Sequence, residues 1–441
     1  MGGVEKSTSK ELYGYAPEQF KKYNSRMWVA LFLFALLYCF LYSGRLNIST
    51  AIPMMEDEMG WTTGQLGILS SILFWTYGFG HLVNGRLGEI FGIKRFIVAG
   101  IILSALTNIC ISFQSSLVVI CILWGFNGYF QSMLWSPGMA YIAAWWPGAK
   151  RGFATGFCNA SSSLGTAAAW LAVTLAFTIA PNMGWRAAFS LPTVLMFAAM
   201  LVFLIFAKGK PEDVGLPPYK EEKVREAHED ELVKVVEEKG KLYPYVYLFS
   251  QWRFFIWCLI VAGSNLSRYG LLTWMPKYYI SERGIDLKAG IVGLVMLPLG
   301  MALGTWLVPW LSDRLTPYNR LPVVIACAIL SACTVFIFPN IESQTGAAAV
   351  LFVAGFFIYA INGLVWAFAT DIGGRVFAGT AAGVLDWAAY MGAAVQAVFF
   401  GFILQDDKWN VLFVVITVVC LLVAVFAFIA TRGRKGSTSL K

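Results

Sequence analysis

Runs of twenty or more mostly apolar residues recur along this chain, separated by short polar stretches. A helix of about 20 apolar residues crosses the ~30 Å hydrocarbon core of a bilayer. Within that core every backbone polar group must find its partner inside the protein, so long apolar runs read as helices. Composition agrees: 58% of the residues are hydrophobic and 13% are charged, where a soluble domain carries about a quarter charged. The fold class expected is an all-α membrane protein.

Twelve spans can be placed, at 27–54, 64–88, 96–114, 117–146, 152–180, 186–207, 252–280, 290–312, 321–339, 345–370, 376–403 and 410–431. They divide the chain into a polar N-terminus (1–26), six spans (27–207), a polar linker (208–251), six further spans (252–431) and a tail (432–441). No cleavable signal peptide is evident, because a full-length span follows the polar N-terminus directly. The linker opens with KGKPEDVGLPP and continues as EEKVREAHEDELVKVVEEKGK, which predicts a mixed-charge surface helix and leaves His228 solvated.

Short-loop basic residues set the orientation. Lys21, Lys22, Arg26, Lys94, Arg95, Lys150, Arg151, Arg314, Arg320, Arg375, Arg432, Arg434 and Lys435 all fall on one side. The other side holds Glu56, Asp57 and Glu58, and there Lys277, Arg283 and Lys288 mix with Glu282 and Asp286. Both termini are therefore expected in the cytoplasm, and the protein in the cell (inner or plasma) membrane. Topology thus accounts for the net charge of +8, and no nucleic-acid partner is expected. The eight cysteines are scattered through apolar segments without CxxC spacing, so they read as packing residues. No catalytic motif, metal cluster or nucleotide-binding loop is present, so no enzyme activity, metal or cofactor is expected, and transport must draw on gradients.

Two arginines contradict this apolar background. Arg45 lies inside the first run and Arg268 inside the seventh, each more than two helical turns from the nearer end. A charge at the bilayer centre costs about 3 kcal/mol on insertion scales, so such residues face a cavity or a partner and mark function. Guanidinium offers planar paired donors that match phosphate, sulfonate or carboxylate oxygens, and it keeps its proton. Matching arginines in two halves predict a clamp for a small organic anion. Tyr38, Tyr42 and Arg45, spaced by four and three, are expected on one helix face.

The halves also repeat outside the spans. GRLGEIFGIKR after the second span parallels PWLSDRLTPYNR after the eighth, and Glu89 and Asp313 occupy matching acidic positions with basic residues following. This pattern resembles the loop signature of the major facilitator superfamily. The resemblance implies two pseudo-symmetric six-helix bundles rocking about a midplane site, with Glu89 and Asp313 as gating acids.

The chain is more specifically similar to the organophosphate:phosphate antiporter family. Tyr38-Cys39-Phe40-Leu41-Tyr42-Ser43-Gly44-Arg45-Leu46-Asn47 is similar to its first-helix arginine motif, and Ser267-Arg268-Tyr269-Gly270 to its seventh-helix one. Tyr77-Gly78-Phe79, the run from Asn127 to Pro137, PEDVGLPP and AGTAAG add to the likeness. The resemblance implies Arg45 and Arg268 as ligands of the substrate anion and Tyr38, Tyr42, Tyr77 and Tyr390 as cavity-lining groups. It also implies exchange for inorganic phosphate, by a monomer. His81 stands where glycerol-3-phosphate transporters carry a lysine, Ser162 where they carry a histidine, and Leu46 where a basic residue often follows the arginine. A less positive pocket is expected.

Asp386, in GVLDWAAY, adds a negative charge near mid-membrane. It reads as a proton-coupling carboxylate, a partner for a cationic group on the substrate, or an ion pair fixing the bundle. Its presence keeps a proton- or sodium-coupled symporter of a carboxylate or sulfonate open beside the exchanger, and the family also contains non-transporting sugar-phosphate sensors. Gly78, Gly80, Gly85, Gly379 and Gly383 predict close helix contacts.

Overall fold

The computed structural model describes residues 15–217, 238–240, 243–315 and 320–431. The helix expected at 221–241 falls, apart from 238–240, outside the described residues, as do His228 and the tail from 432. Glu89 and Asp313 stand on helical backbone, with side chains outside the described set.

Among the described residues there are twelve helical segments long and apolar enough to cross a membrane, in the expected order, and no strands. Large apolar side chains such as Phe32, Ile68, Val292, Phe336, Val418 and Phe428 point outward. On a twelve-span bundle that outer surface is the lipid-facing one.

Local sequence explains the turns. Gly60, at φ 67°, ends the first span in the left-handed conformation that favours glycine. Two residues later Thr62 accepts from the Gln65 backbone N–H while its own N–H donates to Gln65 Oε1 at 2.9 Å, a reciprocal cap that starts the second span. Lys94, one of the basic residues in the short loops, donates to the carbonyls of Leu204 (2.8 Å) and Ala207 (2.7 Å), closing the end of the sixth span.

The first span departs from expectation. It is not one helix but two, Pro17–Leu41 and Asn47–Met59, joined by a single 3-10 turn at Tyr42–Gly44. The seventh, Trp252–Ser281, is unbroken. The tenth and eleventh spans, predicted as separate helices, lie on backbone that is helical from Gln344 to Ile403. Tyr359 and Tyr390 nevertheless line one cavity, so the chain reverses between them on helical backbone.

Glycines bring corresponding helices together in both halves. A Cβ on Gly128 of the fourth span would meet the Leu73 carbonyl of the second at 2.5 Å. In the second half, a Cβ on Gly304 of the eighth span would sit 1.9 Å from the Phe356 carbonyl of the tenth. Of the glycines singled out in the sequence, Gly78 and Gly80 have such close neighbours and Gly85 only ordinary contact. Among the described residues nothing lies within 4 Å of a Cβ on Gly383, which therefore makes no close helix contact there, and the side chains around Gly379 lie outside the described set.

Replacing Gly304 by valine must push two spans apart, and overpacking of this kind costs about 1–3 kcal/mol or more. Gly304→Val should lower the melting temperature of the detergent-purified protein by several degrees, while Gly383→Ala leaves it unchanged. Equal melting of the two variants would contradict this packing.

Candidate functional site

The break in the first span determines where Arg45 goes. Where the helix stops, the Gly44 carbonyl loses its intrahelical partner. Three amides replace it: Asn127 Nδ2 donates at 2.7 Å, Gln131 Nε2 at 2.8 Å and Asn108 Nδ2 at 3.3 Å. Irregular backbone at membrane depth is tolerated only with such partners. A Cβ at position 44 would meet Met196 Sδ at 2.6 Å and the Asn108 amide at 3.0 Å, so a larger residue there must displace these side chains.

The next residue, Arg45, is 1% exposed. Its Nε donates to Gln131 Oε1 at 2.8 Å, and Nη1 donates to the Tyr390 hydroxyl at 3.4 Å. Its guanidinium lies 4.0 Å from the Tyr77 ring centre and 4.7 Å from that of Tyr42. Gln131 thus grips both the broken carbonyl and the arginine beside it.

Arg268 reaches a similar environment from an intact helix. It is 2% exposed, and its guanidinium lies 3.9 Å from the Tyr359 ring centre and 4.7 Å from that of Tyr269. Tyr269 and Tyr390 are 6.2 Å apart between ring centres, so one aromatic cluster carries both cations. Neither arginine forms an ion pair among the described residues. Arg45 Nη2 and Arg268 Nε and Nη2 are buried with no hydrogen-bond partner there. Ring faces stabilise a cation by about 2 kcal/mol when desolvated, well below the several kcal/mol that burial of an ion costs. The deficit favours an incoming anion.

Beside this cluster lies a small cavity lined by both halves. Tyr38, Tyr42, Trp135 and Asn159 face it from the first six spans. Asn265, Arg268, Tyr359, Asn362, Asp386, Ala389 and Tyr390 face it from the last six. Several expected residues take a different place. Arg45 itself stands behind the wall, bonded to the lining Tyr390, and Tyr77 packs beneath Arg45. Ser162 also stands behind the wall, donating to the Asn159 carbonyl at 2.7 Å and lying 3.2 Å from the Tyr359 hydroxyl. His81 is buried, with Nδ1 2.6 Å from Ser136 Oγ and 3.6 Å from Asp386 Oδ2. The latter contact joins the second span to the eleventh.

Sequence reading missed Gln131, Tyr359, Asn159, Asn265 and Asn362. Polar residues at helical spacing inside apolar runs, such as Asn127 with Gln131 and Tyr359 with Asn362, were the available signal. It also counted Lys277 and Glu56 as loop charges. Lys277 is in fact 7% exposed and joins the halves, donating to Glu56 Oε1 at 2.7 Å and lying 2.6 Å from Thr63 Oγ1, which itself hydrogen-bonds Glu56. Gln405 donates to Thr62 Oγ1 nearby at 2.9 Å. These contacts join the halves at the end of the first span away from the N-terminus.

Comparison with known proteins agrees with this architecture. The Major Facilitator Superfamily model matches residues 34–397. A probable hexose phosphate transport protein of Chlamydia muridarum is 27% identical over 430 residues, covering 94% of this chain and 92% of the relative. The glycerol-3-phosphate transporter of Bacillus subtilis is 26% identical, covering 92% of each. In fold, the chain is similar to a bacterial homologue of the human lysosomal transporter Spinster, solved inward-facing and unoccupied (TM-score 0.74, 16% identity, 92% of this chain and 97% of that one). With the superfamily model matching most of its length and transporters of hexose phosphate and glycerol-3-phosphate matching it almost end to end, the chain belongs to the Major Facilitator Superfamily, in its organophosphate:phosphate antiporter branch.

Proposed function

We propose that this protein is a secondary transporter of a small organic anion, a phosphate ester or phosphonate, exchanged for inorganic phosphate by alternating access. Arg45 and Arg268 form the anion clamp. One observation carries the reading: two buried guanidiniums, one from each half, keep unpaired N–H groups and form no ion pair among the described residues, Arg268 on the cavity wall and Arg45 just behind it, bonded to the wall residue Tyr390. In water-poor surroundings like charges repel strongly, and a multiply negative oxyanion between them converts that repulsion into attraction. Empty, the halves resist closing; loaded, they approach, which links occupancy to reorientation. Inorganic phosphate offers the same oxygens for the return step. The hexose phosphate and glycerol-3-phosphate relatives support a phosphate-bearing cargo.

The basic short loops support cytoplasmic termini in the cell membrane. On that orientation the Lys277–Glu56–Thr63 contact closes the extracytoplasmic entrance. Rocking open must break it.

Proteoliposomes loaded with phosphate should take up labelled phosphate in exchange, and phosphate esters or phosphonates outside should compete. Uptake that needs a proton or sodium gradient and no internal anion would replace exchange by symport; binding with no flux would replace it by sensing. Arg45→Lys and Arg268→Lys should each weaken anion binding about tenfold or more, because lysine loses the forked donor geometry. Retained affinity in both variants would end the clamp.

Gln131→Leu removes the hold on Arg45 and one support of the Gly44 carbonyl without touching the cavity wall. An anion affinity lower by about tenfold is expected, since one hydrogen bond to a charged group is worth roughly 1.5–3 kcal/mol. Titration calorimetry of the purified variant reads this directly.

Glu56→Gln leaves the buried Lys277 without its counter-charge, and Lys277→Met leaves the half-buried Glu56 without its cation. In a cysteine-free background, Ala389→Cys on the cavity wall should react faster with a membrane-impermeant thiol reagent from the face opposite the termini when either change is present. The charge swap E56K/K277E should restore slow labelling. Labelling indifferent to all three would refute the closure.

A further inference from the structure

The cavity contains a carboxylate that the clamp does not use. Asp386 lines the same space as Arg268 and Tyr390. Its only ion-pair contact among the described residues is His81 Nδ1 at 3.6 Å, beyond hydrogen-bond reach, and that nitrogen already engages Ser136 at 2.6 Å. No described residue donates a hydrogen bond to Asp386, although a carboxylate has room for about four. Its side chain remains 13% exposed, against 1% for His81, and its oxygens are not among the sealed, unpartnered atoms as those of the arginines are. The open part of Asp386 therefore looks into the cavity.

Arg268, with donors lacking acceptors, and Asp386, an acceptor lacking donors, thus line one small space. A cargo complementary to it is dipolar. Its anionic end satisfies the guanidiniums, and its other end must offer hydrogen, because pressing an apolar tail against a carboxylate removes water and returns nothing. A second anionic group at that end would meet Asp386 as a like charge. The flanking amides of Asn159, Asn265 and Asn362 extend this polar lining.

We propose that Asp386 is a specificity-determining residue. It selects an anion whose far end carries a hydrogen-bond donor, an ammonium or a hydroxyl. This rests on the clamp reading above and adds the identity of the cargo's second end. A site built to hydrogen-bond a polar group rejects the apolar isostere more strongly than any hydrophobic pocket rejects a misfit.

The test uses the full-length purified protein and three phosphonates of matched size, propylphosphonate, 2-hydroxyethylphosphonate and 2-aminoethylphosphonate, with inorganic phosphate as reference. Calorimetry on the wild type should show at least one donor-bearing compound binding about tenfold or more tighter than propylphosphonate. In Asp386→Ala that ratio should fall to about one, and Asp386→Glu should keep part of it. Whether the ammonium or the hydroxyl binds tighter distinguishes a zwitterionic from a hydroxylated cargo. The proposal is overturned if propylphosphonate binds the wild type as well as the others, or if Asp386→Ala weakens all three equally. It is overturned too if that variant keeps the ratio and loses only a dependence of uptake on a pH gradient, which would make Asp386 a coupling group. Phosphonates that bind without tail preference leave the clamp standing, whereas a wild type that binds neither phosphonate nor phosphate removes the clamp as well.

Discussion

Two guanidiniums buried against neutral partners are the constraint on which this molecule turns. Ring faces, an amide and a hydroxyl hold Arg45 and Arg268, and no described carboxylate lies within ion-pair distance of either. Such partners orient a cation without cancelling its charge. A carboxylate in the same place would pair the arginine and leave no attraction for a ligand. The choice of tyrosine, glutamine and asparagine around the clamp keeps the site both folded and charged.

The two halves reach this arrangement by different routes. Arg268 projects from an intact helix, whereas Arg45 follows a break that exposes the Gly44 carbonyl. The Asn108–Asn127–Gln131 amides satisfy that carbonyl and, through Gln131, fix the arginine. A hydrogen-bond network inside the first half therefore supports one jaw, and aromatic packing supports the other. The pseudo-symmetry of the sequence is in position, not in local conformation.

Closure at one end and charge at the centre are complementary. Lys277 and Glu56 meet across the halves and satisfy each other, while the central arginines meet no described acid. A buried pair that is matched holds its position; an unmatched one awaits a partner. This difference separates a structural contact from a binding site even though both contain buried cations. Asp386 belongs with the second kind, since its neighbours leave its oxygens open to the cavity.

Much of this was legible in the chain itself. Run length against bilayer thickness determined the number of spans, and the cost of an intramembrane charge singled out Arg45, Arg268 and Asp386, because both quantities depend on local composition alone. Tyr38, Tyr42 and Tyr390 were also foreseen on the cavity, whereas Tyr77 and Ser162 turned out to support it from behind. The break at Gly44 had no proline to announce it, because it depends on amides from the third and fourth spans more than sixty residues away. Lys277 read as a loop charge until Glu56, distant by 221 positions, was placed beside it. Sequence thus decides which groups must leave water, since that is a property of each segment. Only the tertiary structure decides which of them find partners on leaving it, since pairing depends on distances the chain does not encode locally.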